Sequence, residues 1–324
     1  MRKTMIILFF LIFLLFFIPM ASAADEKDRL AGSNRFETAV EISKAGWNKA
    51  DTVILSTASN FPDALAGGPL AKEIDAPILL VQKDRLTDTT RAEMERLKAS
   101  EVIILGGGGV ISELVVTEVK AMGLTVERIG GKDRYETAAK IAERMEKSDT
   151  AFVVYGDNFP DALSIAPYAG QEGHPILLTR TASLPEVTRE ALRSVDHSFV
   201  IGGSSVVSDD VMNELPDATR VSGNNRFRTS AEIIRRFQMD ADNVYIATGY
   251  SFPDALTGSV LAAKNNGAVI LTKTDTLPVE MSYLLNQKLF ERGIALGGTK
   301  VVSEEVASLV RIMIARLNLY SCPI

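Results

Sequence analysis

The sequence predicts an α/β protein of three tandem modules, each a three-layer unit with a mostly parallel sheet. Two observations predict this. Three residue boxes recur in the same order three times, and within each unit short apolar runs alternate with amphipathic ones. Once a leader is set aside, the 324 residues leave three units of about 100, a common domain size.

The first box reads Gly32-Ser-Asn-Arg35-Phe-Glu-Thr38, Gly131-Lys-Asp-Arg134-Tyr-Glu-Thr137 and Gly223-Asn-Asn-Arg226-Phe-Arg-Thr229. The second reads Asn60-Phe-Pro-Asp63-Ala-Leu, Asn158-Phe-Pro-Asp161-Ala-Leu and Ser251-Phe-Pro-Asp254-Ala-Leu. The third reads Gly106-Gly-Gly-Gly-Val-Ile-Ser112, Gly202-Gly-Ser-Ser-Val-Val-Ser208 and Gly297-Gly-Thr-Lys-Val-Val-Ser303.

Each unit then reads in order. An amphipathic helix follows the Arg box, with Ala138, Ile141, Ala142 and Met145 on one face. A buried-type strand comes next (Val53-Ile-Leu, Phe152-Val-Val, Val244-Tyr-Ile). Pro62, Pro160 and Pro253 suit a helix's first turn, and the Asp just behind favours the helix dipole or caps it. A second strand (Ile78-Leu-Leu, Ile176-Leu-Leu, Val269-Ile-Leu) leads to a charged helix around Thr87–Ala99. A third strand, Val102-Ile-Ile-Leu, runs into the Gly-Gly turn, which demands positive φ. Ser112, Ser208 and Ser303 are expected to cap the last helix, and Glu113, Asp209 and Glu304 to face its dipole.

Ahead of the repeats, Arg2 and Lys3 precede an apolar run from Met5 to Ile18, then Pro19 and Ala21-Ser-Ala23. That is the pattern of a secretory signal over residues 1–23. The apolar run is shorter than the roughly 20 residues a membrane span needs. Net charge is −6, which argues against a nucleic-acid partner. Cys322 is the single cysteine, so no internal disulfide framework is expected. His174 and His197 are the only histidines and lack metal-ligand spacing, and no nucleophile elbow is present. The expectation is a non-enzymatic protein with no cofactor and no metal. Leu184-Pro-Glu-Val-Thr188 is internal and is not a sorting motif, so surface retention is expected to be non-covalent.

The combined boxes resemble the cell wall binding repeat 2 family across nearly the whole chain after the leader. The resemblance implies a secreted, Gram-positive surface protein whose three modules pack as a pseudo-threefold trimer and bind anionic secondary wall polymers. The repeats are placed at 24–127, 128–219 and 220–324, which leaves no room for a separate effector domain. The expected partners are an anionic wall polymer or peptidoglycan. A second reading is an accessory protein that modulates a secreted wall hydrolase.

Arg35, Arg134 and Arg226 are the first ligand candidates, since guanidinium grips phosphate or carboxylate with a planar fork. Each instead pairs internally if it meets Asp63, Asp161 or Asp254, or the neighbouring Glu; both roles are compatible. The Phe-Pro-Asp loop lies where a strand hands over to a helix, a common ligand position. Its amides attract anions, and Asn60 and Asn158 are donors beside them. In the alternative, the loop is a structural turn whose Phe fills core space. The third repeat departs from the pattern, with Arg228 in place of Glu37 and Glu136, and Ala268 in place of Pro77 and Pro175.

Overall fold

A computed structural model describes residues 27–60, 62–239 and 241–321. The leader expected over 1–23, Phe61 and Cys322 lie outside the described residues. The described residues open on a two-residue strand, β1 (Arg29–Leu30), and helix α1 (Arg35–Gly46). The first module continues with β2 (Thr52–Thr57), α2 (Gly67–Glu73), β3 (Ile78–Val81), α3 (Asp88–Leu97), β4 (Glu101–Leu105), α4 (Glu113–Ala121) and β5 (Thr125–Ile129).

The same order returns twice. The second pass comprises α5 (Arg134–Arg144), β6 (Thr150–Tyr155), α6 (Pro160–Glu172), β7 (Ile176–Thr179), α7 (Glu186–Ala191), β8 (His197–Ile201), α8 (Asp209–Asn213) and β9 (Ala218–Val221). The third comprises α9 (Arg226–Arg236), β10 (Asn243–Thr248), α10 (Pro253–Lys264), β11 (Ala268–Thr272), α11 (Val279–Leu285), β12 (Arg292–Leu296) and α12 (Glu304–Ser321).

The strands form three four-stranded sheets, ordered β3-β2-β4-β5, β7-β6-β8-β9 and β11-β10-β12-β1, with every pairing parallel. The fourth strand of each sheet went unread in the sequence because it is short and half polar. It also closes the molecule. β1, from the start of the described chain, is the edge strand of the third sheet, with Arg29 opposite Ala295 and Leu30 opposite Leu296. A boundary drawn between residues 127 and 128 falls inside β5.

Both faces of each sheet are covered, so central strands are apolar throughout: Val53, Ile54 and Leu55 are all fully buried. In the second sheet, Phe152 and Val154 point into a core shared across the molecule. Ala151 and Val153 point the other way, into a separate cluster with Leu192, Val207 and Val211. These are the three layers the sequence predicts.

Helices α2, α6 and α10 pack against one another at the centre. Small residues let them meet: a Cβ on Gly68 would sit 3.1 Å from that of Ala166 and 3.6 Å from Ser259 Oγ. Polar bonds reinforce the boundaries. Gln171 Nε2 donates to Gly267 O (3.0 Å), the Glu146 amide donates to the Glu73 carboxylate (3.1 Å), and Lys264 pairs with Asp75.

Candidate functional site

The Arg box is a helix start. Asn34, Asp133 and Asn225 are the N-caps of α1, α5 and α9, and each side chain accepts from the next two available amides. Arg35, Arg134 and Arg226 are therefore the first helical residues, held in identical orientation at three places. The box threonine closes the preceding loop, as Thr38, Thr137 and Thr229 Oγ1 accept from Gly32, Gly131 and Gly223 N–H at 3.0–3.1 Å. In the first two repeats the Glu folds back onto the loop: Glu37 accepts from Ser33 N–H (2.9 Å) and Glu136 from Lys132 N–H (3.0 Å). It does not meet the arginine. Arg228 cannot make this bond and pairs with Glu232 instead (2.6 Å).

Each guanidinium is fixed by one nitrogen. Nη1 of Arg35, Arg134 and Arg226 donates to the carbonyl at the end of its own module's central strand: Ala58 O (2.6 Å), Gly156 O (2.8 Å) and Gly249 O (2.5 Å). Arg134 also pairs with Asp157 at 2.5 Å. Arg35 and Arg226 make no ion pair among the described residues.

The aspartates of the Phe-Pro-Asp boxes face these arginines across the module boundaries. Arg226 is the charge felt by Asp161, and Arg35 the charge felt by Asp254, across the closure of the ring. At the first boundary, Asp63, Arg134, Asn60, Gly107 and Lys132 line one cleft of about 390 Å³. Loss of hydration raises the Asp161 and Asp254 carboxyls to about 6, partly opposed by Arg226 and Arg35. Asp63 is placed differently, accepting from Thr137 Oγ1 at 2.8 Å.

No aspartate caps its helix: α6 and α10 begin after Phe159 and Phe252 with no side-chain cap bond. Asn158 Oδ1 accepts from Phe159 N–H (3.0 Å), one residue on, which orders the loop without capping the helix. Phe252 is buried, and Phe159 lies 6.4 Å from it, ring centre to ring centre. The Gly-Gly turns pack directly on the aspartates. Gly202 has φ +119°, and a Cβ there would lie 2.8 Å from Asp161 Oδ2; Gly106 and Gly297 have the same backbone sign.

Sequence reasoning missed a second set of arginines. Arg29, Arg128 and Arg220, on the edge strands, donate to the Gly-Gly turn carbonyls of Gly297 (2.7 Å), Gly106 (2.9 Å) and Gly202 (2.8 Å). Their other nitrogens hold Glu304, Glu113 and Asp209, each at 2.9 Å. Those acids are thus ion-pair partners as well as dipole partners. The signal was available, since an Arg stands three residues before the box Gly in every repeat. Ser208 and Ser303 do cap their helices, at 3.3 Å. Ser112 does not; its hydroxyl is buried without a partner among the described residues.

The histidines lie apart. His174 Nδ1 contacts Ser148 Oγ (2.7 Å) and His197 Nδ1 contacts Asp217 (2.8 Å). Among the described residues, no group of three or more His, Cys, Asp or Glu is arranged to hold a metal ion. No described helix is long and apolar enough to cross a membrane.

A closed ring of three parallel-sheet modules, with a box arginine and a box aspartate at every module boundary, defines a repeat-built protein. The chain belongs to the cell wall binding domain 2 family, whose pattern matches residues 29–116, 128–212 and 220–307. Each match begins at an edge-strand arginine or its immediate position.

Among curated relatives, it is 33% identical over 300 residues to the N-acetylmuramoyl-L-alanine amidase LytC of Bacillus subtilis, covering 92% of this chain and 60% of that protein. It is 38% identical over 282 residues to the Amidase enhancer of the same organism, covering 86% of this chain and 39% of that one. The chain thus spans less than two thirds of either relative. Two solved structures from Clostridium difficile share the fold. Cwp6 has a TM-score of 0.84 at 32% identity, covering 88% of this chain and 47% of its own. Cwp8 has a TM-score of 0.82 at 30% identity, covering 89% and 51%.

Proposed function

We propose that the chain attaches non-covalently to the Gram-positive cell wall by binding an anionic secondary wall polymer, and that it does so without catalysis. In this reading residues 1–23 direct secretion and the three repeats form the anchor. The observation that carries it is the threefold placement of Arg35, Arg134 and Arg226. Each has one nitrogen tied to a strand-end carbonyl and sits at a module boundary beside loop amides. A tied guanidinium loses little further freedom on gripping an anion. Asn60 lines the cleft with Arg134, Asn158 is assigned the same part at the next boundary, and Asp63, Asp161 and Asp254 set the local charge. Three modest sites on one rigid body bind a repeating polymer by avidity.

The test is co-sedimentation of wild-type and Arg35→Ala/Arg134→Ala/Arg226→Ala proteins with purified walls, with folding checked by circular dichroism. The triple variant is expected to lose at least tenfold in affinity, and single variants to lose less. Equal binding by an equally folded triple variant overturns the mechanism.

Similarity to an amidase and to an amidase enhancer favours one second reading, a modulator of a secreted wall hydrolase. Co-purification with such an enzyme, together with no binding to enzyme-free walls, selects it.

A further inference from the structure

The three boundary sites carry the same arginine but different neighbours. The residue after the strand-end carbonyl is Ser59 in the first module, Asp157 in the second and Tyr250 in the third. Asp157 neutralises Arg134 directly. Tyr250 does the opposite: it leaves the charge of Arg226 in place and adds an aromatic surface. The residue is 57% exposed, although large apolar side chains are normally covered. It is nonetheless held in place, because Phe227 meets it edge-on with ring centres 6.0 Å apart at 83°. The Arg226 guanidinium carbon lies 5.7 Å from the ring centre.

A second cation stands on the same rim. Lys273 follows Thr272, whose carbonyl accepts from Gly249 N–H at 2.8 Å, and its side chain is exposed. In the second module the matching residue, Arg180, lies 4.5 Å over the ring of the buried Tyr135. In the first module the matching residue is the neutral Gln82. The third site therefore combines an exposed, oriented aromatic ring with two cations, Arg226 lying over one part of that ring.

We propose that Tyr250, Arg226 and Lys273 form an acidic-sugar subsite. The Tyr250 ring supports the apolar C–H face of a pyranose, and the two cations hold the carboxylate or phosphate that the sugar carries. This deepens the anionic-polymer reading and rests on it. An aromatic face contributes little to binding a small anion, but it adds a stacking surface for a ring, at about tenfold in affinity. A planar guanidinium beside it fixes the charged substituent and hence the orientation of the ring.

The test uses three probes: trigalacturonate, neutral maltotriose and inorganic phosphate. Titration by calorimetry is done with the full chain after the leader, in an Arg35→Ala/Arg134→Ala background that leaves only the third site. Tyr250→Ala is expected to weaken trigalacturonate about tenfold and leave phosphate unchanged, while Tyr250→Trp retains trigalacturonate binding. Arg226→Ala is expected to weaken both acidic probes. Maltotriose is expected to bind at least tenfold more weakly than trigalacturonate. If Tyr250→Ala binds trigalacturonate like its parent, or if the parent binds none, the subsite is overturned. Either failure leaves the wall reading intact, because that stands or falls on wall sedimentation of the triple arginine variant.

Discussion

Asp161 and Asp254 are carboxyl groups placed where water is largely removed and only one cation answers each. Their protons leave at about pH 6 in the fold, against a normal value of 3.8. The folded state therefore holds these protons more tightly than the unfolded chain does. Their burial costs stability above pH 6, and that cost disappears as pH falls toward 4, so their contribution makes the fold more stable in mild acid. Asp254→Asn is expected to raise stability at pH 7.5 by about 1 kcal/mol and to leave it unchanged near pH 4. Urea unfolding at the two pH values checks this, and equal effects at both would contradict it. The same titration acts on ligand. Once Asp254 is neutral, Arg35 presents an uncompensated charge, so affinity for a uronate is expected to rise between pH 7.5 and 5.5. In Asp254→Asn that rise should be smaller. The box arginines and aspartates were legible in the sequence because they recur. Their relation was not: Arg35 and Asp254 are neighbours only after the ring closes.

The helix starts explain why the Arg box has its form. Asn34, Asp133 and Asn225 each satisfy two amides that a helix leaves open, and so aim the arginine that follows. Asn225→Ala is expected to cost about 1 kcal/mol in stability. Because the cap also sets the orientation of Arg226, it should weaken anion binding several-fold at temperatures where the protein stays folded. Stability lost with binding intact would mean the cap is structural only. Periodicity and proline placement made the inner strands and most helices readable. The edge strands β1, β5 and β9 were missed, since sequences such as Thr125-Val-Glu-Arg-Ile129 bury one side of a short ladder and leave the other to solvent. Their arginines, Arg29, Arg128 and Arg220, tie the glycine turn to the next helix, a role that spacing alone does not reveal.

At the scale of the molecule, β1 makes three modules into one ring. Leu30 is buried against the third sheet, Arg29 holds Gly297 O and Glu304, and Arg292 pairs with Asp28 at 3.1 Å. Leu30→Ala is expected to cost about 2–3 kcal/mol and to speed amide exchange in β12 more than in β4 or β8. Uniform exchange across the three strands would show that closure does not stabilise the third module. The ring keeps three boundary sites at fixed separation, and rigid spacing is what lets weak sites add on one polymer. The central claim is that these sites recognise an anionic polymer of the wall. Co-sedimentation of residues 24–324 with purified Gram-positive walls, before and after hydrofluoric extraction of phosphate-linked polymers, tests it most directly. Strong binding to intact walls and loss of that binding after extraction are expected; undiminished binding to the extracted walls would rule out an anionic polymer as the ligand.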